Sequence, residues 1–211
     1  MKNVIDNIWV LYLTNNENAL PLFQWISEKT SCICCENLIT LDFVSKIKPK
    51  LIISYNYNYI IPQDIIDYMH GSIINMHISL LPWNRGFSPN LWSFLDNTPK
   101  GVTIHKISVG LDKGELIWQR EMFFNAQKET LESTYNKLNE EIVKLFKEHW
   151  EEIISGSYKT KEQIGQGSYH SKKQLEQLQE QIPFEWSDCV ADVVQKYKKL
   201  VNRNESNNCD N

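Results

Sequence analysis

Asn75, His77 and Asp112 are residue types that together suit acyl transfer. Asn75 and His77 close the apolar run Ser72–His77 (SIINMH), which reads as a buried strand leading into a loop rich in turn residues. Residues two apart on a strand point the same way, so this pair shares one face. Ligand crevices of open α/β sheets lie at the carboxyl ends of strands, which is where the pair falls. An imidazole accepts or donates a proton near neutral pH. A carboxamide nitrogen can donate to an oxygen that turns negative in a tetrahedral intermediate. Asp112, in the turn Gly110-Leu111-Asp112-Lys113-Gly114, is the carboxylate available to hold the imidazole. Each residue alone also has a structural reading: a satisfied strand-end histidine, a capping asparagine, or turn chemistry between glycines.

The elements that would position them read as alternating strands and helices. Ile8–Leu13, Cys32–Cys35, Leu51–Ser54, Ser72–His77, Val102–Ile107 and Leu116–Met122 have the length and composition of strands. Helices are expected over Leu20–Ile26, with Pro21 near the start, and over Phe43–Ile47, Gln63–Met69 and Asn90–Leu95. This order predicts an α/β fold with a Rossmann-like, mostly parallel sheet covered on both faces. The clearest helix is Thr130–Ile154, capped by Thr130, with an apolar stripe of Leu131, Leu138, Ile142, Leu145 and Phe146 and a stop at Gly156. Gln174–Gln181 is expected to be helical, and the polar residues 202–211 unstructured. The expected organisation is a core over 1–156, a small C-terminal extension over 157–201 for nucleotide contact or dimerisation, and a tail over 202–211.

With 211 residues, 42% of them hydrophobic, the chain can bury one α/β core. A net charge of −4 gives no general attraction to nucleic acid. No apolar run reaches the roughly 20 residues of a membrane span, so no membrane insertion is expected. Residues 1–6 lack the basic-then-apolar order of a signal peptide, and a cytoplasmic setting with reduced thiols follows. Of five cysteines, Cys32, Cys34 and Cys35 crowd together, but Cys189 and Cys209 are distant and do not form the second pair a structural zinc site wants. The cluster reads as small apolar residues of a strand, and no metal is expected. No glycine-rich phosphate loop follows the first strand.

The block Asn75-Met76-His77-Ile78-Ser79-Leu80-Leu81-Pro82, with Arg85-Gly86 behind it and Gly110-x-Asp112-x-Gly114 downstream, resembles the formyltransferases that use N10-formyltetrahydrofolate. That family has glycinamide ribonucleotide, methionyl-tRNA and sugar N-formyltransferase branches. Lys50–Pro62 (KLIISYNYNYIIP) is similar to its strand and loop that wrap the pterin, so the likeness runs over residues 48–122. Ile78 stands where glycinamide ribonucleotide enzymes carry proline, which bears on the branch and not on the chemistry. The first fifty residues match poorly, and nothing is carried over onto them. The resemblance implies Asn75, His77 and Asp112 as catalytic residues. It also implies folate contacts, largely through backbone, from Tyr57, Asn58, Tyr59 and Ile60 and from Ser108, Val109, Gly110 and Leu111. Tyr55, Tyr57 and Tyr59 read equally as packing residues.

The loop Pro82–Trp92 (PWNRGFSPNLW) looks like that of the sugar branch, whose enzymes act on nucleotide-linked amino sugars of bacterial surface polysaccharide such as the O-antigen of lipopolysaccharide. Gly167–Lys173 (GSYHSKK) resembles a second motif of that branch, where Tyr169 and Lys172 would meet a base and a pyrophosphate. An exposed polar turn is the other reading. The implied substrate contacts are Ser79, Trp83, Arg85, Asn90, Tyr169 and Lys172. Enzymes acting on dTDP-4-amino-4,6-dideoxyglucose match best. The 3-amino isomer and glycinamide ribonucleotide stand as alternatives, and a folate- or nucleotide-sugar-binding module as the non-enzyme one. The tRNA branch is disfavoured by the acidic balance. Relatives dimerise through the C-terminal portion, so a homodimer is expected, with Ile182, Phe184 and Trp186 either at that contact or completing the core.

Overall fold

The computed structural model describes residues 8–209, and the side chains of 8–203. Short apolar segments give β1 (Val10–Leu13), β2 (Cys32–Cys35), β3 (Leu51–Tyr55) and β4 (Ile73–His77), separated by α1 (Leu20–Ser27), α2 (Leu41–Ile47) and α3 (Gln63–Met69). They are followed by β5 (Arg85–Gly86), α4 (Pro89–Leu95), β6 (Lys100–Lys106), β7 (Leu116–Met122), α5 (Leu131–Glu148), α6 (Trp150–Ser155), β8 (Tyr169–His170), α7 (Lys172–Gln181) and α8 (Val190–Cys209). The main sheet has the order β2-β1-β3-β4-β6-β7. Its first four strands are parallel, and β6 runs antiparallel to β4. The fold is therefore α/β with a mainly parallel sheet, as the alternation of elements predicts.

The chain packs as two units. Among the described residues, one is made of those up to His77 with Thr103–Trp118 and Ile142–Gln163; the other of Ile78–Val102, Gln119–Glu141 and those from Ile164 on. In the first, Leu11, Leu13, Ile52 and Ile73 of the strands bury against Val44 and Ile47 of α2 and Ile65 and Met69 of α3. All of β3 is buried, as a strand covered on both faces requires. α2 starts where the Thr40 hydroxyl accepts from the Phe43 N–H at 3.3 Å and stops at left-handed Lys48. In the second unit, Leu91, Trp92, Phe94 and Leu95 of α4 pack with Leu131, Leu175, Leu178, Val190 and Val193. Ile182 and Phe184, each 9% exposed, complete that core, while Trp186 is 43% exposed.

Two expectations are corrected. The single helix expected over Thr130–Ile154 is broken at His149, which leaves helical geometry and stacks its ring on Trp118 at 4.2 Å and 11°. That contact joins residues distant in sequence, which a helical apolar stripe does not register. Residues 202–209, expected to be unstructured, continue α8. Once a helix is anchored by buried Val190 and Val193, adding residues costs far less than starting it, and this polar stretch holds no Gly or Pro to stop it. Residues 210–211 of the expected tail lie outside the described residues. The three clustered cysteines form the edge strand β2 as half-buried free thiols, and burial pushes Cys32 up to about 12. Among the described residues no helix is long and apolar enough to cross a membrane, and no group of three or more His, Cys, Asp or Glu side chains could hold a metal ion.

Candidate active site

The antiparallel register of β4 and β6 sets Asn75 opposite His105 and His77 opposite Thr103. Directly opposed residues lie on one face, so four polar side chains gather where the neighbouring strand positions are apolar. His77 is 8% exposed and His105 1%. Asp112 reaches this face from the loop that joins β6 to β7. The loop turns through left-handed backbone at Gly110 (φ +93°) and at Asp112 itself (φ +52°), a conformation that glycine adopts freely and aspartate tolerates. Gly114 meets a different demand: a Cβ there would lie 1.7 Å from the Lys106 carbonyl oxygen. The glycines of the Gly-x-Asp-x-Gly pattern thus let the loop turn and lie against β6. The Gln163 side-chain amide then donates to the carbonyls of Asp112 at 2.7 Å and Gly114 at 2.8 Å, holding the loop from its other side.

The trio converges. Asn75 Nδ2 donates to Asp112 Oδ1 at 3.3 Å and lies 3.1 Å from His105 Nε2. His77 Nδ1 is 3.7 Å from Asp112 Oδ2, and His105 Nε2 is 3.6 Å from Asp112 Oδ1. Both separations exceed a hydrogen bond, and the first is short enough for attraction to the carboxylate whenever the His77 ring carries a proton on both nitrogens. A carboxylate facing two imidazoles and a carboxamide can hold charge, move a proton and orient an amide. His105 and Gln163 were not singled out by sequence reasoning. His105 leaves a trace in the sequence, since Thr103 and His105 alternate with apolar Val102 and Ile104 in the buried middle of the strand. Gln163 leaves none.

The residues expected to meet folate all belong to the first unit. The Tyr57 hydroxyl donates to Asn37 O at 2.7 Å, its ring meets Tyr59 edge-on at 5.3 Å, and burial pushes its phenol up to about 12. The Asn58 backbone N–H donates to Asn15 Oδ1 at 2.7 Å, while Tyr55 is buried at 1% and packs. Ile60 (76% exposed), Val109 (70%) and Leu111 (41%) hold apolar side chains in solvent, and Ser108 is half-buried.

The expected substrate contacts all belong to the second unit. Ser79 is buried and donates to Trp83 O at 2.7 Å; Asn90 is buried and donates to Leu131 O at 2.9 Å. Ser79 therefore shapes the loop, and Asn90 ties α4 to the start of α5. Arg85 and Gly86 pair as a two-residue ladder with Tyr169 and His170, and Arg85 Nη1 donates to Gln166 O at 3.1 Å. The two blocks flagged separately in the sequence are thus strand partners. Tyr169, Trp83 and Lys172 are exposed, Lys172 3.8 Å from Glu176.

The profile described as Formyl transferase matches residues 37–149, more than half of the chain and all of the trio. The chain belongs to the formyl transferase family. This formyl transferase is 40% identical to the formyltransferase PseJ of Anoxybacillus kamchatkensis, whose crystal structure holds UDP-4,6-dideoxy-4-formamido-L-AltNAc and tetrahydrofolate; the match covers 89% of this chain and 98% of that one, with a TM-score of 0.76. It is 29% identical to a likely sugar N-formyltransferase of Mycobacterium tuberculosis over 82% of this chain and 79% of that one, TM-score 0.75. Over 103 residues it is 36% identical to the bifunctional polymyxin resistance protein ArnA of Wigglesworthia glossinidia brevipalpis. That stretch is 48% of this formyl transferase and 16% of the ArnA polypeptide.

Proposed function

We propose that the protein transfers a formyl group from N10-formyltetrahydrofolate to the 4-amino group of a nucleotide-linked 4-amino-4,6-dideoxy sugar. The observation that supports this best is the convergence of Asn75, His77 and Asp112 on one face of β4–β6, in a chain 40% identical to PseJ along nearly all of PseJ's length. A UDP-linked acceptor comes first, because the sugar nucleotide in complex with PseJ is UDP-linked and carries a 4-formamido group. dTDP-4-amino-4,6-dideoxyglucose comes second, since it presents an amine at the same ring position. A formylated sugar of either kind suits bacterial surface polysaccharide.

In this reading the neutral acceptor amine attacks the formyl carbon, and a carbon–nitrogen bond forms while the carbonyl oxygen becomes an oxyanion. Asn75 Nδ2 faces that charge. Its bond to Asp112 at 3.3 Å is the longer of its two contacts, so that N–H is the one a stronger acceptor draws away. His77 in its protonated form is the second donor, kept beside the site by the Asp112 carboxylate at 3.7 Å. The amine's surplus proton passes through the His77–Asp112 pair and water to N10 as the carbon–N10 bond breaks. The exposed side chains of Ile60, Val109 and Leu111 give the pterin an apolar seat, with backbone groups of 57–60 and 108–111 reading its edge. Tyr169, Trp83, Arg85 and Lys172 are the side chains offered to the nucleotide. Turnover is tested with N10-formyltetrahydrofolate against a panel of UDP- and dTDP-linked 4-amino and 3-amino sugars and glycinamide ribonucleotide. Formylation of a 4-amino sugar is expected; activity on glycinamide ribonucleotide alone would overturn the reading.

A further inference from the structure

His105 lies outside the trio, yet it is nearly fully buried and touches Asn75 more closely than Asp112 does. Its two ring nitrogens have partners that fix its chemistry. Nδ1 is 2.8 Å from the Lys106 carbonyl oxygen, which can only accept, so Nδ1 carries the hydrogen. Nε2 is 3.1 Å from the Asn75 carboxamide nitrogen, which can only donate, so Nε2 presents its lone pair. The ring is therefore neutral, in the Nδ1–H form. Asn75 in turn faces two acceptors, His105 Nε2 and Asp112 Oδ1. Turning the amide over would set its oxygen against both. With the carboxylate alone as partner, the whole amide could still turn about its side-chain bond; the second acceptor fixes its plane with the NH2 end in place.

We propose that His105 is a positioning residue that locks the Asn75 carboxamide with its NH2 end toward the reacting centre, resting on the formyl-transfer reading above. Lys106 completes the device through its backbone: its carbonyl sets the His105 tautomer, His105 sets Asn75, and Asn75 meets the developing charge. The carbonyl that sets the tautomer is also the one Gly114 approaches, so the Asp112 loop and the His105 ring are registered on one backbone atom.

The test uses positional mimics of the imidazole in the full-length protein. Gln reaches the place of Nε2 and can accept there; Asn reaches only the place of Nδ1; Phe has the ring without either nitrogen. His105→Phe and His105→Asn should lower kcat about tenfold, the range of one well-placed hydrogen bond, with KM for both substrates within about twofold and the unfolding midpoint little changed. His105→Gln should recover most of kcat. Added to Asn75→Ala, His105→Phe should cost little more, because its effect runs through Asn75. Equal kcat in the Gln and Asn variants, or full additivity with Asn75→Ala, overturns the proposal. Nitrogen NMR of the His105 ring in the unaltered protein decides it without turnover. Nδ1 protonated and Nε2 bare at neutral pH is expected, and the opposite tautomer or a cation would overturn it even if formyl transfer itself fails on every acceptor.

Discussion

Gly114→Ala is the substitution whose cost can be worked from the geometry most directly. The added Cβ would lie 1.7 Å from the Lys106 oxygen and 2.6 Å from its carbon, where real Cβ atoms essentially never come within 3.0 Å. The loop or the strand must therefore open by at least 1.3 Å, the difference between 3.0 and 1.7. Neither can yield cheaply. The Lys106 N–H is bonded to Glu115 O at 2.9 Å, its carbonyl holds the His105 ring at 2.8 Å, and Gln163 grips the loop at two carbonyls. Overpacking of this kind costs about 1–3 kcal/mol, which lowers Tm by roughly 2–12 °C for a chain of this size. Activity suffers more, because Asp112 sits two residues away and a displacement of about 1 Å at a reacting group costs on the order of 10²-fold. Thermal unfolding and steady-state formyl transfer measure the two effects on one sample. A variant with kcat within twofold of the unaltered protein and an unchanged Tm would refute the claim that close approach to β6 positions Asp112.

His77→Ala and Asp112→Asn should each lower kcat by roughly 10²–10³ while the unfolding midpoint stays near that of the unaltered protein, read by turnover and thermal melts. Gln163→Ala removes two hydrogen bonds to the Asp112 loop; a loss of about 1–2 kcal/mol in urea unfolding and a fall in kcat are expected, with a neutral result showing that the loop holds its shape unaided. Burial raises the Cys32 thiol from 9.0 to about 12, so the unfolded chain releases this proton first as pH rises. Stability from this group is thus intact below about pH 9 and is lost between about pH 9 and 12. Tyr57 shifts in the same direction, so the comparison is with Cys32→Ala, whose denaturation midpoint should fall less steeply over that window.

The main sheet was legible because β1, β3 and β4 are short apolar runs bounded by turn residues, and burial on both faces leaves that pattern little choice. The trio was singled out by the resemblance to the formyltransferases, since each residue alone also has a structural reading; its placement has a physical trace as well. Asn75 and His77 break the apolar run at alternate positions, and two glycines flank Asp112 where a turn and a close approach each require one. What stayed hidden depends on contacts made far along the chain. The break falls at His149, whose ring stacks on Trp118, and Gln163 reaches carbonyls of a loop some fifty residues earlier. Arg85-Gly86 and Tyr169-His170 pair as strands too short to carry a period. The helix through residues 202–209 continues by propagation and not by its own polar composition. His105 sits between these cases: its place on the polar face was readable in the alternation of β6, but its partner emerges only from the antiparallel register that sets it across from Asn75.

Transfer of the formyl group from folate to the amine of a nucleotide-linked 4-amino sugar, with Asn75, His77 and Asp112 as the catalytic residues, is the reaction proposed above. It is tested most directly by a single-turnover reaction with N10-formyltetrahydrofolate isotopically labelled in the formyl group and the UDP-linked 4-amino acceptor. The label is expected to appear as a sugar formamide in step with released tetrahydrofolate, and His77→Ala to slow the step by at least the factor of roughly 10² expected of a lost oxyanion donor. Label that stays on folate or passes to water, or transfer at an unchanged rate in His77→Ala, would contradict it.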